Sequence, residues 1–275
     1  MKHLTWREAV AKTFIYLQIV FVLFLILFPI GWMGMSSFRY NVDITAYPPK
    51  LLAPVTGENY VNLVQINNFG RIAVNSVIIV TGSTGLGMLL GVPAAYAAAR
   101  FKKQKWAFLI LLARMSPGIL FLIPWYMVAL AVQMTDNYLT LILTHTVITM
   151  PVIVWLMISF FEELPPDMEE SALMDGCSRF QVLWLIAIPL ALPGIAVSAI
   201  LSFIFSWNYF LFALVLAGSK TMPLTVAAFQ FIGTSAVNWG GLMAAATVIS
   251  IPPMILTMFV QRWLVRGLTA GAVKG

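Results

Sequence analysis

The chain reads EELPPDMEESALMDGCSRFQ from Glu162 to Gln181, and this stretch holds six of its ten acidic residues. Pro165 and Pro166 predict a helix start, because proline fixes the φ angle of a first helical turn, where an amide donor is not needed. The acidic side chains that follow are favoured there by the helix dipole. Gly176 is predicted to end this helix in a left-handed cap. The stretch therefore predicts a short acidic helix.

A second helix is predicted directly after that cap, because Ser178 and Gln181 have the spacing of a capping box. In the acidic helix, Met168, Ala172 and Leu173 are expected to share one face. A surface helix that binds anionic lipid carries basic residues on its polar face, whereas this one is acidic. The pattern favours a protein partner.

The residues around this loop are too apolar for a water-soluble domain. Of 275 residues, 61% are hydrophobic and 9% are charged, with a mean hydropathy of +0.92. Soluble domains carry about 25% charged residues, so the bilayer is expected to be the solvent. The net charge of +6 is spread over short flanks between apolar blocks, which argues against nucleic-acid binding. One cysteine, Cys177, and two histidines, His3 and His145, exclude a disulfide framework and argue against a metal site.

Crossing a hydrocarbon layer of about 30 Å takes about 20 apolar residues. Blocks of that length, free of charge except for Arg114 in the third, predict six spans at 13–38, 72–99, 106–131, 137–161, 183–205 and 240–261. The first is longer than a signal-peptide core and is interpreted as an uncleaved span. Lys and Arg residues concentrate before the first span, between the second and third, and after the last, which predicts cytoplasmic termini. The stretch between the last two spans is expected to lie on or dip into the outer face.

Small residues recur at every fourth position of the second span: Ser83, Gly87, Gly91, Ala95 and Ala99. On a helix they form a smooth strip that lets a neighbouring helix approach closely, as expected for a packed bundle. Prolines recur within several other spans, and bent, cavity-lining helices are the interpretation we favour.

Acidic residues are absent from the middle of every predicted span, which argues strongly against proton coupling and more weakly against sodium coupling. Arg114 either snorkels to the interface, bonds a neighbouring helix or takes part in a pathway, and these alternatives stay open. His145 is interpreted as a hydrogen-bonded core residue rather than a ligand.

The loop resembles a known family. The run Glu170-Ser-Ala-Leu-Met-Asp-Gly176, followed by Ile188-Pro-Leu190 and Pro193-Gly194, resembles the EAA loop of binding-protein-dependent ABC importer permeases. Ser171 stands where the first alanine of that motif is usual. The resemblance extends from about Asn75 onward, and the ending from Gln261 to Gly275 is similar to the second permease of maltose-type carbohydrate importers.

The resemblance implies an all-α, six-helix type I importer permease of the bacterial inner membrane. It implies residues 1–70 as a cytoplasmic segment, first helix and periplasmic loop, residues 71–262 as the permease domain with its coupling loop at about 162–182, and residues 263–275 as a cytoplasmic tail. The partners implied are a second permease, two ATPase subunits and a periplasmic binding protein. ATP and Mg would bind the ATPase subunits, and no cofactor is expected in this chain. Because hydrolysis would take place in the partners, the chain itself is not expected to be an enzyme. The coupling residues implied are Glu169, Glu170, Ser171, Ala172, Asp175 and Gly176.

The substrate is less well determined. Aromatic and amide side chains suit a sugar pathway. The candidate pathway residues are Arg114, Trp125, Tyr126, Asn208 and Tyr209. Aromatic residues near a membrane interface also serve as helix anchors, so that alternative stays open. Asn238 and Trp239 are candidates for docking a binding protein. A sugar, oligosaccharide or polyol is the expected cargo. The alternatives are another solute such as glycerol phosphate, or an ion-coupled secondary transporter.

Overall fold

The computed structural model describes residues 6–48, 50, 53–65, 68–101, 108, 117–233 and 236–272, and that part of the chain is almost entirely helical. Four of its helices are long and apolar enough to cross a membrane, over Val10–Ser36, Phe69–Arg100, Tyr138–Glu163 and Trp239–Phe259. A bent pair, Arg179–Leu190 with Leu192–Trp207, makes up to five if it counts as one span. The prediction of an all-α membrane protein is therefore confirmed.

In chain order the helices are α1 (Trp6–Ser36), α2 (Asn41–Ile44), α3 (Glu58–Gln65), α4 (Phe69–Arg100), α5 (Ile119–Ala131), α6 (Tyr138–Glu163), α7 (Pro166–Met174), α8 (Arg179–Leu190), α9 (Leu192–Trp207), α10 (Leu211–Leu216), α11 (Leu224–Phe229) and α12 (Trp239–Ala272). Helix α5 covers the second half of the predicted third span. Most of the first half, including Arg114, lies outside the described residues, so the count of six spans stays a prediction.

The fifth predicted span, 183–205, is not one continuous helix. Helix α8 contains a π-helical turn at Leu183–Ala187, and α8 and α9 meet at an angle of 81° around Ala191. Pro189 and Pro193 explain the break, because each lacks an amide hydrogen and its ring crowds the preceding turn. The uncharged stretch therefore forms two helices joined by a sharp bend.

The chain divides into two compact units, one containing the chain up to Asn68 with Ala228–Val248, the other Phe69–Ala227 with the chain from Ile249. In the first unit, Asn59 donates to the carbonyls of Ser37 (2.8 Å) and Arg39 (2.9 Å). Helix α1 contributes little to the packing, because the most apolar part of its Val10–Ser36 segment is 0% buried within the chain.

In the second unit, α4 and α6 run parallel. The Tyr138 hydroxyl donates to Asn75 Oδ1 (2.6 Å) near the starts of both helices, and Arg100 Nη2 donates to the Leu164 carbonyl (3.4 Å) near their ends. A Cβ placed on Gly87 or Gly91 would lie 2.9 Å from Ile153 of α6. The predicted small-residue strip therefore packs against α6 inside this chain.

Helix α9 completes the core of the second unit. A Cβ placed on Gly194, at its start, would overlap the Phe160 ring near the end of α6. Ser206, at its other end, lies 2.8 Å from His145, in the first third of α6, so α9 runs antiparallel to α6. Close backbone approach through glycine and serine is how helices associate without a hydrophobic driving force.

Candidate functional site

The loop after α6 folds as its sequence predicts. Helix α6 ends at Glu163, Leu164 is extended with φ −73° and ψ 130°, and Pro166 opens α7 at its first turn. The Ser171 hydroxyl donates to the Asp167 carbonyl (2.8 Å) within the helix. The two prolines separate α6 from α7 as expected.

The end of α7 is a complete Schellman motif. Gly176 has φ +90°, its amide donates to the Leu173 carbonyl (3.1 Å), and the Cys177 amide donates to the Ala172 carbonyl (3.0 Å). The predicted left-handed glycine cap is therefore confirmed.

Helix α8 then begins with the predicted capping box. The Gln181 amide donates to Ser178 Oγ (3.3 Å), and the Ser178 amide donates to Gln181 Oε1 (2.7 Å). The turn between α7 and α8 is thus set by sequence-local bonds.

Glu169 does not lie on the exposed face on which a partner-binding role was predicted. It is 7% exposed, and its carboxylate accepts hydrogen bonds from the Tyr96 hydroxyl (2.8 Å) and from Arg100 Nε (2.8 Å) and Nη2. A buried carboxylate needs such partners because burial alone disfavours its charge. Glu169 therefore fastens α7 to α4.

The inward face of α7 also differs from the prediction. Ala172, predicted as a coupling residue, is only 7% exposed and faces inward like Glu169, and Leu173 is half-buried. Met168, which was expected to share the face of Ala172 and Leu173, is 48% exposed. The salt bridge between Arg100 and Glu169 turns this helix so that an acidic residue faces inward.

The outward face of the loop carries the remaining predicted coupling residues. Glu170, Ser171, Asp175 and Gly176 are exposed. Large apolar side chains accompany them, including Met174 (87% exposed) and Phe180 (69% exposed) on the next helix. A surface with carboxylates beside exposed apolar side chains suits a basic, partly apolar groove on a protein.

A buried polar cluster joins α4, α6 and α9 in the middle of the second unit. Ser206 Oγ lies 2.9 Å from Ser83 Oγ and 2.8 Å from His145 Nδ1. His145 is 2% exposed, and its ring meets Tyr209 edge-to-face at 5.6 Å. The prediction that His145 is a hydrogen-bonded core residue is confirmed, and within the described residues its Nε2 has no partner.

The structure brings some of the predicted pathway residues together and not others. Trp125, Tyr126 and Tyr209 pack against one apolar cluster that includes Phe212, and Trp125 Nε1 donates to Thr144 Oγ1 (2.7 Å). Asn208 is exposed, and its amide donates back to the Ile204 carbonyl of its own helix (2.9 Å). Arg114 lies outside the described residues.

The two predicted docking residues shape the start of α12. Asn238 Oδ1 accepts from the Gly241 amide (3.0 Å), as a helix-capping side chain does, and the Trp239 amide donates to Asn41 Oδ1 (2.8 Å). Both side chains are exposed, with Trp239 at 38%. Their part in docking stays a prediction.

Sequence reasoning used Asp136 only as the boundary of a span, but it organises a turn. Its carboxylate accepts from the amides of Gly218 (2.9 Å), Lys220 (3.1 Å) and Thr221 (2.9 Å) and from Thr221 Oγ1 (2.7 Å). Burial by itself raises the pKa of Asp136, yet the bonds from Thr221, Lys220 and Gly218 outweigh it and lower the pKa below its ordinary value.

The same turn is bonded to the start of α4. Asn75 Nδ2 donates to the carbonyls of Lys220 (3.0 Å) and Met222 (3.0 Å), and Ser76 Oγ accepts from the Leu224 amide (2.8 Å). We call this arrangement of Asp136, Asn75 and Ser76 the Asp136 clamp. The signal for it was the Asn-Ser pair at the start of a span, where two side-chain polar groups need partners.

Comparisons with known proteins agree with this architecture. A family model described as "binding-protein-dependent transport system inner membrane component" matches residues 87–270. A probable ABC transporter permease protein of Sinorhizobium fredii is 37% identical over 91% of both chains. A trehalose transport system permease protein of Mycobacterium tuberculosis is 35% identical over 90% of this chain and 93% of that one. A diacetylchitobiose uptake system permease protein of Streptomyces coelicolor is 32% identical over 92% of this chain and 94% of that one.

Solved structures show the same fold. A chain of a bacterial ABC transporter involved in the import of the acidic polysaccharide alginate matches with a TM-score of 0.78 and 20% identity, covering 95% of this chain and 99% of that one. A chain of the methionine ABC transporter MetNI matches with a TM-score of 0.60 and 19% identity, over 78% of this chain and 99% of that one. At these identities the likeness concerns fold and not cargo.

Proposed function

The chain belongs to the family of binding-protein-dependent transport system inner membrane components, and from this premise we propose that it imports a carbohydrate with energy from partner ATPases. It is a permease subunit of an ABC importer in the inner membrane. In the proposal, a second permease completes the pathway, a periplasmic binding protein delivers the cargo, and ATP and Mg bind the ATPase subunits.

A sugar, oligosaccharide or polyol is proposed as the cargo on two grounds. Relatives at 32% to 35% identity over at least nine-tenths of the chain carry names that specify trehalose and diacetylchitobiose. In addition, Trp125, Tyr126 and Tyr209 pack against one apolar cluster, and the Tyr209 ring also contacts His145, which bonds Ser206. Aromatic faces beside hydroxyl and imidazole groups suit a sugar, which presents apolar faces and a rim of hydroxyls.

The observation that carries the proposal is the outward face of α7. Glu170 and Asp175 are exposed on a helix whose inward face is already bonded to the bundle, so their charges are available to a partner. Ser171 and Gly176 leave room for close approach, and buried Ala172 supports the helix from behind. We propose that this face sits in a groove of an ATPase subunit, with the carboxylates pairing with Arg or Lys.

Movement follows from that contact. ATP-driven closure of the ATPases would displace the two loops of a permease pair and switch the bundle between inward-facing and outward-facing states. Asn238 and Trp239 are proposed to contact the periplasmic binding protein, and Arg114 stays a candidate for the pathway.

The experiment that tests the proposal begins with purification of the tagged chain from its native host in mild detergent. Mass spectrometry of what copurifies is expected to find an ATPase and a second permease, and the complex in liposomes is expected to take up a sugar only with ATP and the binding protein. Glu170→Lys is expected to abolish ATPase recovery and uptake, because it reverses a charge at the proposed contact. Glu163→Lys, a reversal at an exposed acid outside that contact, is the matched control.

Two results would count against the proposal. If the Glu170→Lys variant takes up sugar and recovers the ATPases as well as the Glu163→Lys variant does, the assignment of Glu170 to the ATPase contact is wrong. A chain that purifies alone and transports in liposomes without ATP would be a secondary carrier.

A further inference from the structure

Arg100 and Glu169 form an ion pair between two elements that are far apart in sequence. Arg100 is the last residue of α4, Glu169 lies in α7, and their side chains are 16% and 9% exposed. Arg100 donates through both Nε and Nη2 to Glu169 Oε1, while the Tyr96 hydroxyl donates to Oε2. Both carboxylate oxygens are thus occupied, and the fork of the guanidinium fixes the direction of the bond.

The loop is thereby attached to a helix that it does not follow in the chain. Arg100 also donates to the Leu164 carbonyl (3.4 Å), at the point where the chain leaves α6. Tyr96 is held in turn by an edge contact with the Phe161 ring at 5.4 Å. One arginine therefore bonds both the root of the loop and its helix.

Helix α4 is suited to pass on a displacement of the loop. It has 32 residues, so at 1.5 Å per residue it is about 48 Å long. It packs tightly on α6 through Gly87 and Gly91, and at its other end Asn75 holds the carbonyls of Lys220 and Met222. Polar side chains thus bond both ends of α4 to connecting segments.

We propose that Arg100, Glu169 and Tyr96, called here the Arg100 clamp, transmit movement of the α7 helix to α4 during the transport cycle. The proposal rests on the proposed function, since it concerns how an ATPase contact at Glu170 reaches the bundle. These three are positioning residues: they touch neither cargo nor nucleotide. Glu170 contacts the partner, and Glu169 turns that contact into motion of the bundle.

The test uses the full complex in liposomes and compares Arg100→Gln, Glu169→Gln and the double variant, with Glu163→Gln as the matched acid-to-amide control. Each single variant is expected to lower ATP hydrolysis stimulated by binding protein and cargo about tenfold. Copurification of the ATPases is expected to stay at the wild-type level, because Glu170 is unchanged.

The double variant separates coupling from stability. Each single variant leaves a buried charge unpaired, whereas the double variant removes both charges, so its thermal midpoint is expected to return toward that of the wild type. Its stimulated hydrolysis is expected to stay about tenfold below that of the wild type and no lower than that of the single variants, since all three variants break the same ion pair. A structural role alone would restore stability and activity together.

The outcomes distinguish the two proposals. Suppose that wild-type uptake requires ATP but that Glu169→Gln has the same stimulated ATP hydrolysis as Glu163→Gln. The proposed role of the Arg100 clamp would then be wrong, and the proposed function would stand. If the double variant regains both its thermal stability and its stimulated ATP hydrolysis, the proposed role of the Arg100 clamp is also wrong. Wild-type uptake without any need for ATP would overturn the proposed function and the clamp's role with it.

Discussion

The two ends of α4 hold their connecting segments in different ways. At the Phe69 end, the Asp136 clamp binds main-chain groups of residues 218–224 through hydrogen bonds from several donors and acceptors. At the Arg100 end, α7 is attached through the carboxylate of Glu169 and the side chains that surround it. The Phe69 end makes hydrogen bonds to several main-chain groups of the turn, whereas at the Arg100 end the hydrogen bonds that the described residues make to α7 all go to the side chain of Glu169.

On our proposal, the Arg100 end is the one that moves during the transport cycle, and the difference in bonding agrees with it. A backbone turn held by several bonds has no alternative arrangement that satisfies them all, so it is rigid. An ion pair between two helices can shift as a unit, because each helix keeps its own internal hydrogen bonds and caps when the pair is displaced. The exposed face of α7 and its local caps fit the second kind of attachment.

The largest effect is expected from Gly218→Ala, which tests the rigid end. A Cβ there would lie 2.6 Å from Asp136 Oδ2, and the carboxylate cannot retreat without losing its bonds to the turn. Overpacking of this kind is expected to lower the free energy of unfolding by about 3 kcal/mol. The effect can be measured in detergent by tryptophan fluorescence, as a fall in the thermal unfolding midpoint. An unchanged midpoint would show that the turn is not rigid.

Asp136→Asn is expected to have a smaller effect that depends on pH. Because hydrogen bonds from the turn lower the pKa of Asp136 in the folded state, its stabilisation is present above the ordinary pKa and is lost as pH falls through the lowered value. At neutral pH the variant should lose about 1–2 kcal/mol, and its stability should fall less steeply with acid than that of the wild type. Unfolding midpoints across pH 3–7 measure both, and parallel curves would contradict the prediction.

Gly176→Ala is expected to have the smallest effect and tests the other end. Apart from Gly176 and its two chain neighbours, no atom of the described residues lies within 4 Å of the added Cβ. The cost is therefore that of the left-handed backbone at φ +90°, about 1 kcal/mol. Hydrogen exchange is expected to speed up in the amides of α7 while those of α4 stay protected. Gly176→Asn, which tolerates this backbone better, is the control and should exchange more slowly than the alanine variant.

The sequence predicted the loop well because its signals are local. Pro166, Gly176 and the Ser178–Gln181 pair each act within a few residues, and the structure confirms them. The small-residue strip was also predictable, since Gly87 and Gly91 recur at helical spacing.

Three features were out of reach for physical reasons. Glu169 and Arg100 are 69 positions apart, and nothing local tells which of two adjacent acids turns inward. The corner at Ala191 is hidden in an uncharged run whose length suits one span. Asp136 resembles an ordinary boundary residue until the fold brings Gly218 beside it.

The Asp136 clamp has a consequence for how this sequence drifts over evolutionary time. Asn75 and Asp136 bond the main chain at positions 218, 220, 221 and 222, so exchanging the side chain of Lys220 removes none of those bonds. Selection on this turn is expected to act on the side chains of the clamp and on Gly218, while position 220 is expected to accept any residue except proline, which lacks the amide that donates to Asp136. The surface chemistry of the turn can therefore change while the bonds that hold its backbone stay in place.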